Sequence, residues 1–302
     1  MPEAAVALGR QGNPVAPHRA LLGDGRLHLQ DGPIDLVVEA FGAADGVAAA
    51  YRAAADRFEG LLGGLCTELA ELRRPVAPGP CRLHDPIARR MHEAVAPYAT
   101  RGLITPMAAV AGAVAEAILA AMIAAGEIDR AYVNNGGDIA LHLAPGQAFD
   151  IGLVDRPDRP SLFARARLST ADGIGGIATS GWRGRSFSLG IADAVTVLAG
   201  HAADADAAAT IIANAVDLPN HPGILRQPAD QLQPDTDLGP TLVTRAVPDL
   251  SPTERACALD AGAETAGRAL RAARVRAVAL HLQGETRIVG HGLTALPEAS
   301  HA

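Results

Sequence analysis

Residues 132–141, YVNNGGDIAL, place a tight polar turn between two short apolar runs. The flanking runs, Ala131–Val133 and Ile139–Leu143, have the composition of strands. Gly136 and Gly137 can adopt positive φ and let a ligand approach the backbone, because neither carries a Cβ atom. An Asn-Gly turn is typical of a β-hairpin, and successive turn amides can also bind an anion. The stretch predicts two strands joined at a turn that either closes a hairpin or holds a ligand.

Further strands and helices are predicted outward from this turn by the spacing of apolar residues. On the C-terminal side we expect strands at Phe149–Val154, Ser161–Leu168, Ile174–Ala178, Phe187–Leu189 and Val195–Leu198. Helices are expected at Ala202–Val216 and Thr253–Ala273, followed by a hairpin of Ala277–Leu282 with Thr286–Val289. Between the two helices, Asn220–Gly239 is a Pro/Asp/Gln-rich loop that is a functional lid or an ordered excursion. On the N-terminal side we expect an irregular or hairpin lead-in before about Gly32, a strand at Ile34–Glu39, a helix at Gly46–Arg74 interrupted near Gly60–Gly64, and helices at Ile87–Val95 and Thr105–Ala125. Runs of strands bounded by long helices indicate an α+β fold.

Composition restricts the class of protein. A net charge of −7 argues against a nucleic-acid partner, which requires a concentrated basic surface. Three cysteines stand far apart, and the first residues contain neither a long apolar stretch nor a lipidation cysteine, so we expect a cytoplasmic protein. Leu103–Ala125 has the length of a membrane span, but it is rich in alanine and glycine and includes Thr105-Pro106, a helix start usual in soluble proteins. We expect a buried helix and no membrane association.

Two later segments carry residues suited to phosphate and metal binding. Thr179-Ser180-Gly181 ends a predicted strand with two hydroxyls and a glycine, a pattern equally typical of a Ser/Thr turn. Asp206 and Thr210 are four residues apart on a predicted helix, so both oxygens project from one face. A carboxylate beside a hydroxyl suits Mg²⁺, although an aspartate in a first turn also stabilises a helix.

The order of four segments resembles that of the ApbE-like superfamily, whose best-known members are FAD:protein FMN transferases. The segments are N-N-G-G-D at 134–138, A-T-S-G at 178–181, A-V-T-V at 194–197 and the Asp206…Thr210 pair. The resemblance covers about residues 105–216 and implies an ApbE-like mixed fold of mainly antiparallel sheets packed with long helices. The chain is expected to form one domain over 1–302, or two interleaved subdomains.

The resemblance also implies a ligand and a site. The cofactors would be FAD, or a related nucleotide, and Mg²⁺. The flavin dinucleotide would contact Asn135, Gly136, Gly137, Asp138, Thr179, Ser180 and Gly181, and the metal would be held by Asp206 and Thr210.

The chain also departs from the transferases. Ala111 replaces a lysine, whose acidic partner corresponds to Glu116, and the segment Arg183–Asp193 is short and has no histidine. The chain is closer to the uncharacterised UPF0280 branch, in which Thr-Pro-Met-Ala-Ala-Val-Ala-Gly, here 105–112, recurs.

Two functions stay open at this point. One is a Mg²⁺-dependent FMN transferase or pyrophosphate-cleaving enzyme, acting on an acceptor protein or a small acceptor molecule. The other is a non-catalytic module that binds a flavin or another nucleotide-like cofactor. Catalytic residues are not identified: Asp193 could replace the missing histidine as a base, and further candidates by residue type alone are His84, His92, His142, His201 and His221.

Overall fold

The computed structural model describes residues 17–100, 102–155 and 161–296. Its strands are β1 (His18–Leu21), β2 (Leu27–Asp31), β3 (Ile34–Phe41), β4 (Arg130–Asn135), β5 (Asp138–Leu143), β6 (Ala148–Val154), β7 (Leu162–Ser169), β8 (Gly176–Ser180), β9 (Ala194–Ala199), β10 (Leu225–Pro228), β11 (Leu242–Ala246), β12 (Ala277–Leu282), β13 (Glu285–Gly290) and β14 (Leu293–Ala295). Its α-helices are α1 (Ala44–Phe58), α2 (Leu61–Thr67), α3 (Leu69–Leu72), α4 (Pro86–Val95), α5 (Val110–Ala125), α6 (Ala202–Ala215), α7 (Ala229–Leu232) and α8 (Pro252–Arg271).

The strands form three sheets. The largest has the order β1-β2-β3-β4-β5-β8-β9-β12-β13, a smaller one has the order β14-β7-β6, and β10 pairs with β11. Every strand pair within the described residues is antiparallel. The predicted α+β fold with mainly antiparallel sheets and long helices is confirmed.

The large sheet is buried on both faces because its side chains alternate between two apolar layers. On one face, Val133, Ala178 and Val197 join the main core with the helices. On the other face, Leu141 and Ile177 pack with residues of the small sheet such as Leu168. The helices, the large sheet and the small sheet therefore form three successive layers.

Helix α5 explains the membrane-like stretch of the sequence. Among the described residues, Pro106–Ala125 is the one helix with the length and mean hydropathy, 2.1, of a candidate membrane span. It packs against α1, α4, α6 and strands β4 and β5. Its buried residues include Val114, Ile118 and Met122. The predicted buried helix is confirmed, although its first turn, Pro106–Ala109, is a 3₁₀ helix.

Most predicted elements are present within a few residues of their expected bounds. The lead-in is a hairpin of β1 and β2 as far as it is described, and residues 1–16 lie outside the described residues. The interruption predicted near Gly60–Gly64 lies at Gly60, whose φ of 71° is left-handed. A second interruption at Glu68, which separates α2 from α3, was not predicted.

Two predictions about the chain between β8 and α8 were wrong. Phe187–Leu189 is not a strand. The Thr244 amide of β11 donates to the Ser188 carbonyl at 2.8 Å, but the next amide, that of Leu189, donates to the Asn214 side chain at 2.9 Å, and no strand pairing develops. The predicted loop Asn220–Gly239 contains β10 and α7, and β10 pairs with the unpredicted strand β11. Of the two interpretations of this segment, an ordered excursion is the one the structure supports.

Candidate functional site

A cavity of about 480 Å³ opens where the β4–β5 turn, the end of β8, helix α6 and strand β6 meet. It contains every residue predicted to bind cofactor or metal except Asn135: Gly136, Gly137, Asp138, Thr179, Ser180, Gly181, Asp206 and Thr210. The three segments that carry these residues are far apart in sequence. Sheet pairing of β5 with β8 and packing of α6 on β8 and β9 bring them together.

The turn after β4 is a two-residue hairpin connection. Gly136 and Gly137 have φ values of 65° and 113°, which require glycine-like freedom. The Gly137 amide donates to Asn134 Oδ1 at 2.8 Å, so this amide is already used within the turn. Asn135 does not line the cavity, and its side-chain amide donates to the Ala111 carbonyl at 3.2 Å. The hairpin interpretation is correct for the backbone, and the same turn forms one wall of the cavity.

The hydroxyl residues of β8 form the adjacent wall. Thr179 donates its amide to Asp138 Oδ1 at 3.2 Å, and its hydroxyl pairs with that of Thr196 at 2.9 Å. A Cβ on Gly181 would lie 2.3 Å from the Asp193 carbonyl, so only glycine allows this approach of the two segments. The end of β8 is thereby fixed beside the β4–β5 turn and the start of β9.

Asp206 and Thr210 lie one turn apart on α6, and both line the cavity. Asp206 Oδ2 accepts a hydrogen bond from the Gly112 amide at 3.0 Å, which orients the carboxyl from the first turn of α5. Both side chains reach the same cavity, as the spacing on one helical face predicted. Their assignment as metal ligands stays a prediction.

Asp138 and Asp206 make the cavity strongly acidic. Partial burial raises the pKa of Asp138 to about 7, against the lowering effect of the hydrogen bond from the Thr179 amide. The pKa of Asp206 is also raised well above its usual value, first by burial and second by repulsion from Asp138. The hydrogen bonds from the Gly112 and Ala111 amides act in the opposite direction. Both carboxyls therefore resist ionisation in the absence of a cation.

The residues present fit a hard divalent cation. Asp206, Asp138 and Thr210 offer oxygen atoms at one cavity, and oxygen atoms are the ligands that Mg²⁺ prefers. A cation would offset the repulsion between the two carboxylates. The described residues contain no cluster of three or more His, Cys, Asp or Glu side chains that could hold a metal ion. The protein would supply part of the shell, with waters or ligand oxygens completing it.

Asp193, considered as a replacement base, is held by three donors. Its Oδ1 accepts from Trp182 Nε1 at 3.2 Å and Arg183 Nε at 2.9 Å, and its Oδ2 accepts from the Gln283 amide at 2.6 Å. Because both oxygens are occupied, Asp193 is suited to position the segment 181–193 rather than to accept a proton. None of the described residues that line the cavity is a histidine.

Several residues of the cavity were not predicted as site residues. Thr196 belongs to the A-V-T-V segment, so its sequence signal was present in the family order. Arg185 follows the T-S-G turn, and this adjacency was its only signal. The small sheet contributes residues Ile151–Asp155, at the end of β6, to the cavity wall. In the sequence, their apolar pattern indicated only a strand and gave no sign of a site.

A sequence model of the family described as AbpE bacteria matches residues 19–288. The chain belongs to this family. Among curated proteins, the UPF0280 protein of Methanopyrus kandleri is 40% identical over 42% of this chain and 48% of its own length. The UPF0280 protein of Methanothrix thermoacetophila is 38% identical over 43% and 52%. The match thus spans about half the length of these relatives. The predicted ApbE-like, UPF0280-type relationship is confirmed.

A solved structure, the apo form of the flavinyl transferase ApbE of Pseudomonas stutzeri, aligns over 94% of this chain and 96% of that chain, with a TM-score of 0.43 and 11% identity.

Ala111, which stands where the transferases that the chain resembles carry a lysine, and Glu116 both form contacts within the protein. The Ala111 carbonyl accepts the bond from Asn135, and Glu116 pairs with Arg90 at 2.9 Å. Glu116 also accepts from the Ala203 amide at 2.7 Å, at the first turn of α6. The acidic residue is therefore used to hold α6 in place.

Proposed function

We propose that the chain binds a flavin dinucleotide, FAD, together with a divalent cation such as Mg²⁺ in the cavity between β4–β5, β8 and α6. The observation that carries the proposal is the convergence on one cavity of Gly136–Asp138, Thr179–Gly181 and the Asp206…Thr210 pair. These are the segments whose order resembles the FAD:protein FMN transferases.

Each group has a role that follows from its chemistry. Asp206 and Thr210 would hold the cation, which would neutralise charge on the pyrophosphate. Gly136 and Gly137 leave room for the ligand at the backbone. Ser180 and Thr179 bring hydroxyls that can bind phosphate or the edge of a ring.

Turnover is the second candidate, either FMN transfer to an acceptor protein or small molecule or cleavage of the pyrophosphate. The retained Asp206…Thr210 pair favours it, because this pair serves catalysis in the transferases that the chain resembles. The occupied oxygens of Asp193 and the absence of histidine from the described cavity lining favour binding without rapid transfer. We place the protein in the cytoplasm as part of this proposal.

Thermal unfolding with FAD and Mg²⁺ tests the binding proposal. A ligand that binds only the native state stabilises it by about 2.7 kcal/mol at a hundredfold excess over Kd, so the wild-type Tm should rise by several degrees. Asp206→Asn should lose most of this shift. Asp204→Asn is the matched control, since Asp204 lies on the same helix, pairs with Arg90 at 3.0 Å and does not line the cavity.

Two outcomes would contradict the proposal. The absence of any shift in the wild type would show that FAD is not the ligand. Equal shifts in the wild type and Asp206→Asn would show that the cation binds elsewhere. Mass spectrometry of ligands released from the purified protein provides an independent check, because a co-purified flavin would be identified by its mass.

A further inference from the structure

The β4–β5 turn does not supply a free anion-binding nest. The Gly137 amide donates to Asn134 Oδ1, and the neighbouring Asp138 and Asp206 carboxyls add negative charge to the same cavity. Once a bound cation has ionised both carboxyls, they repel a diphosphate brought to the same cavity. It therefore needs positive charge beyond what the turn provides.

Arg185 is placed to supply that charge. It lines the cavity from the segment between β8 and β9, and its Nη1 lies 3.1 Å from the point where a Cβ on Gly136 would stand. Its guanidinium is exposed, and its hydrogen bond to the Pro33 carbonyl is long, at 3.4 Å. Within the described part of the chain, Arg185 forms no ion pair.

The neighbouring arginine contrasts with it. Arg183 donates Nε to Asp193 at 2.9 Å, and its guanidinium stacks on the Trp182 ring at 4.2 Å. Arg183 therefore has its charge and its flat face both engaged by the protein. Arg185 presents a guanidinium fork to the cavity with almost all of its donors available, and this fork matches the geometry of phosphate oxygens.

We propose that Arg185 binds a phosphate of the nucleotide from the Gly136 side of the cavity and selects ligands that carry a diphosphate. The inference rests on the proposed function, since it names the residue that recognises the diphosphate of the same ligand. The cation held by Asp206 and Thr210 offsets one part of the diphosphate charge. Arg185 offsets the remainder and orients the group by its paired donors.

The test measures the Kd of FAD in the presence of Mg²⁺, by quenching of flavin fluorescence, at low and at high salt. Arg185→Gln should weaken FAD binding roughly tenfold at low salt, because a charged hydrogen bond to phosphate is lost. Arg185→Lys should lie between this variant and the wild type, since it keeps the charge and loses the fork. The control is Arg167→Gln: Arg167 is 72% exposed, pairs with Asp150 and does not line the cavity.

The difference between Arg185→Gln and the wild type should shrink at high salt, because screening weakens the contact that the variant lacks. The inference is overturned if Arg185→Gln binds FAD within twofold of the wild type, or if its loss is the same at both salt concentrations. Matching melting curves of the free proteins show that the variants are folded. If the wild type itself does not bind FAD, the proposed function fails and this inference fails with it.

Discussion

Among single residues, Asp138 and Asp206 define the chemistry of the cavity. Both carboxyls are partly buried and accept hydrogen bonds from backbone amides, and their ionisation costs stability because Asp138 repels Asp206. The proposed cation would lower this cost, because it would attract both carboxylates.

The pH dependence of stability follows from Asp138. Its pKa of about 7 in the folded protein exceeds the ordinary aspartate pKa of 3.8, so the folded state keeps the proton where the unfolded chain has lost it. Stability contributed by this group is therefore complete at pH values below about 4 and is lost as pH rises toward about 7. In EDTA at pH 8, Asp138→Asn should melt roughly 2–4 °C above the wild type, while the two should coincide near pH 4.

Asp172 provides a control of opposite sign for these melting curves. Hydrogen bonds from the Ser169 amide and hydroxyl lower its pKa, so Asp172→Asn should lose stability at pH 8 rather than gain it. A wild-type protein that is as stable as Asp138→Asn at pH 8 without metal would show that the buried carboxylate carries no cost.

At the scale of elements, the crossing of α5 and α6 positions the candidate metal residues. A Cβ on Gly112 would lie 2.4 Å from the Ala202 carbonyl, so the two helices touch through their backbones. The Gly112 amide reaches Asp206 from this contact. Arg90 joins Glu116 and Asp204, and it thereby ties α4 to both helices.

Replacement of Gly112 tests this crossing. Gly112→Ala forces α5 and α6 apart, which should lower stability by about 1–3 kcal/mol and weaken FAD binding, because Asp206 loses its orienting donor. The control is Gly63→Ala in α2, where the added Cβ meets nothing within 4 Å and should stabilise the helix slightly. Chemical denaturation and FAD titration of both variants provide the measurements. Equal stability of the two variants would mean that the helices can separate at no cost.

The sequence predicted those elements whose signals are local. The NNGG turn and the 277–289 hairpin were predictable because turn residues and alternating apolar residues lie in one short stretch. β10 was not predictable, because tertiary contacts hold it, such as the pairing with β11 and the ion pair of Arg226 with Asp217. Phe187–Leu189 has strand composition, but tertiary contacts with Asn214 override that preference.

For the molecule as a whole, the family order of motifs predicted which segments would meet, and local patterns alone would not have done so. Gly136, Thr179 and Asp206 meet because the sheet order places β5 beside β8 and α6 packs on β8. Asn135 shares the motif with Gly136, but strand alternation turns its side chain toward α5. The β6 wall was missed because packing of the small sheet over the large one leaves no local trace in the sequence.

The protein should be a poor FMN transferase on Ser/Thr-containing acceptor peptides even when it binds FAD. Transfer to a hydroxyl needs a positioned proton acceptor, typically worth about 10²–10⁴-fold in rate. The described cavity lining has no histidine, and Asp193 has both oxygens bound by donors.

The measurement is the mass of a flavinylation-competent acceptor after incubation with FAD, Mg²⁺ and the protein, beside a known FAD:protein FMN transferase as the positive control. We expect the acceptor to gain one FMN mass about 10²–10⁴-fold more slowly than with the control enzyme, because the proton acceptor is absent. The acceptor mass would gain one FMN rapidly and stoichiometrically if another group served as the base. Such a result would contradict the prediction. It would show that a side chain outside the described lining, such as a histidine of the acceptor, serves as the base in place of the histidine that the transferases carry.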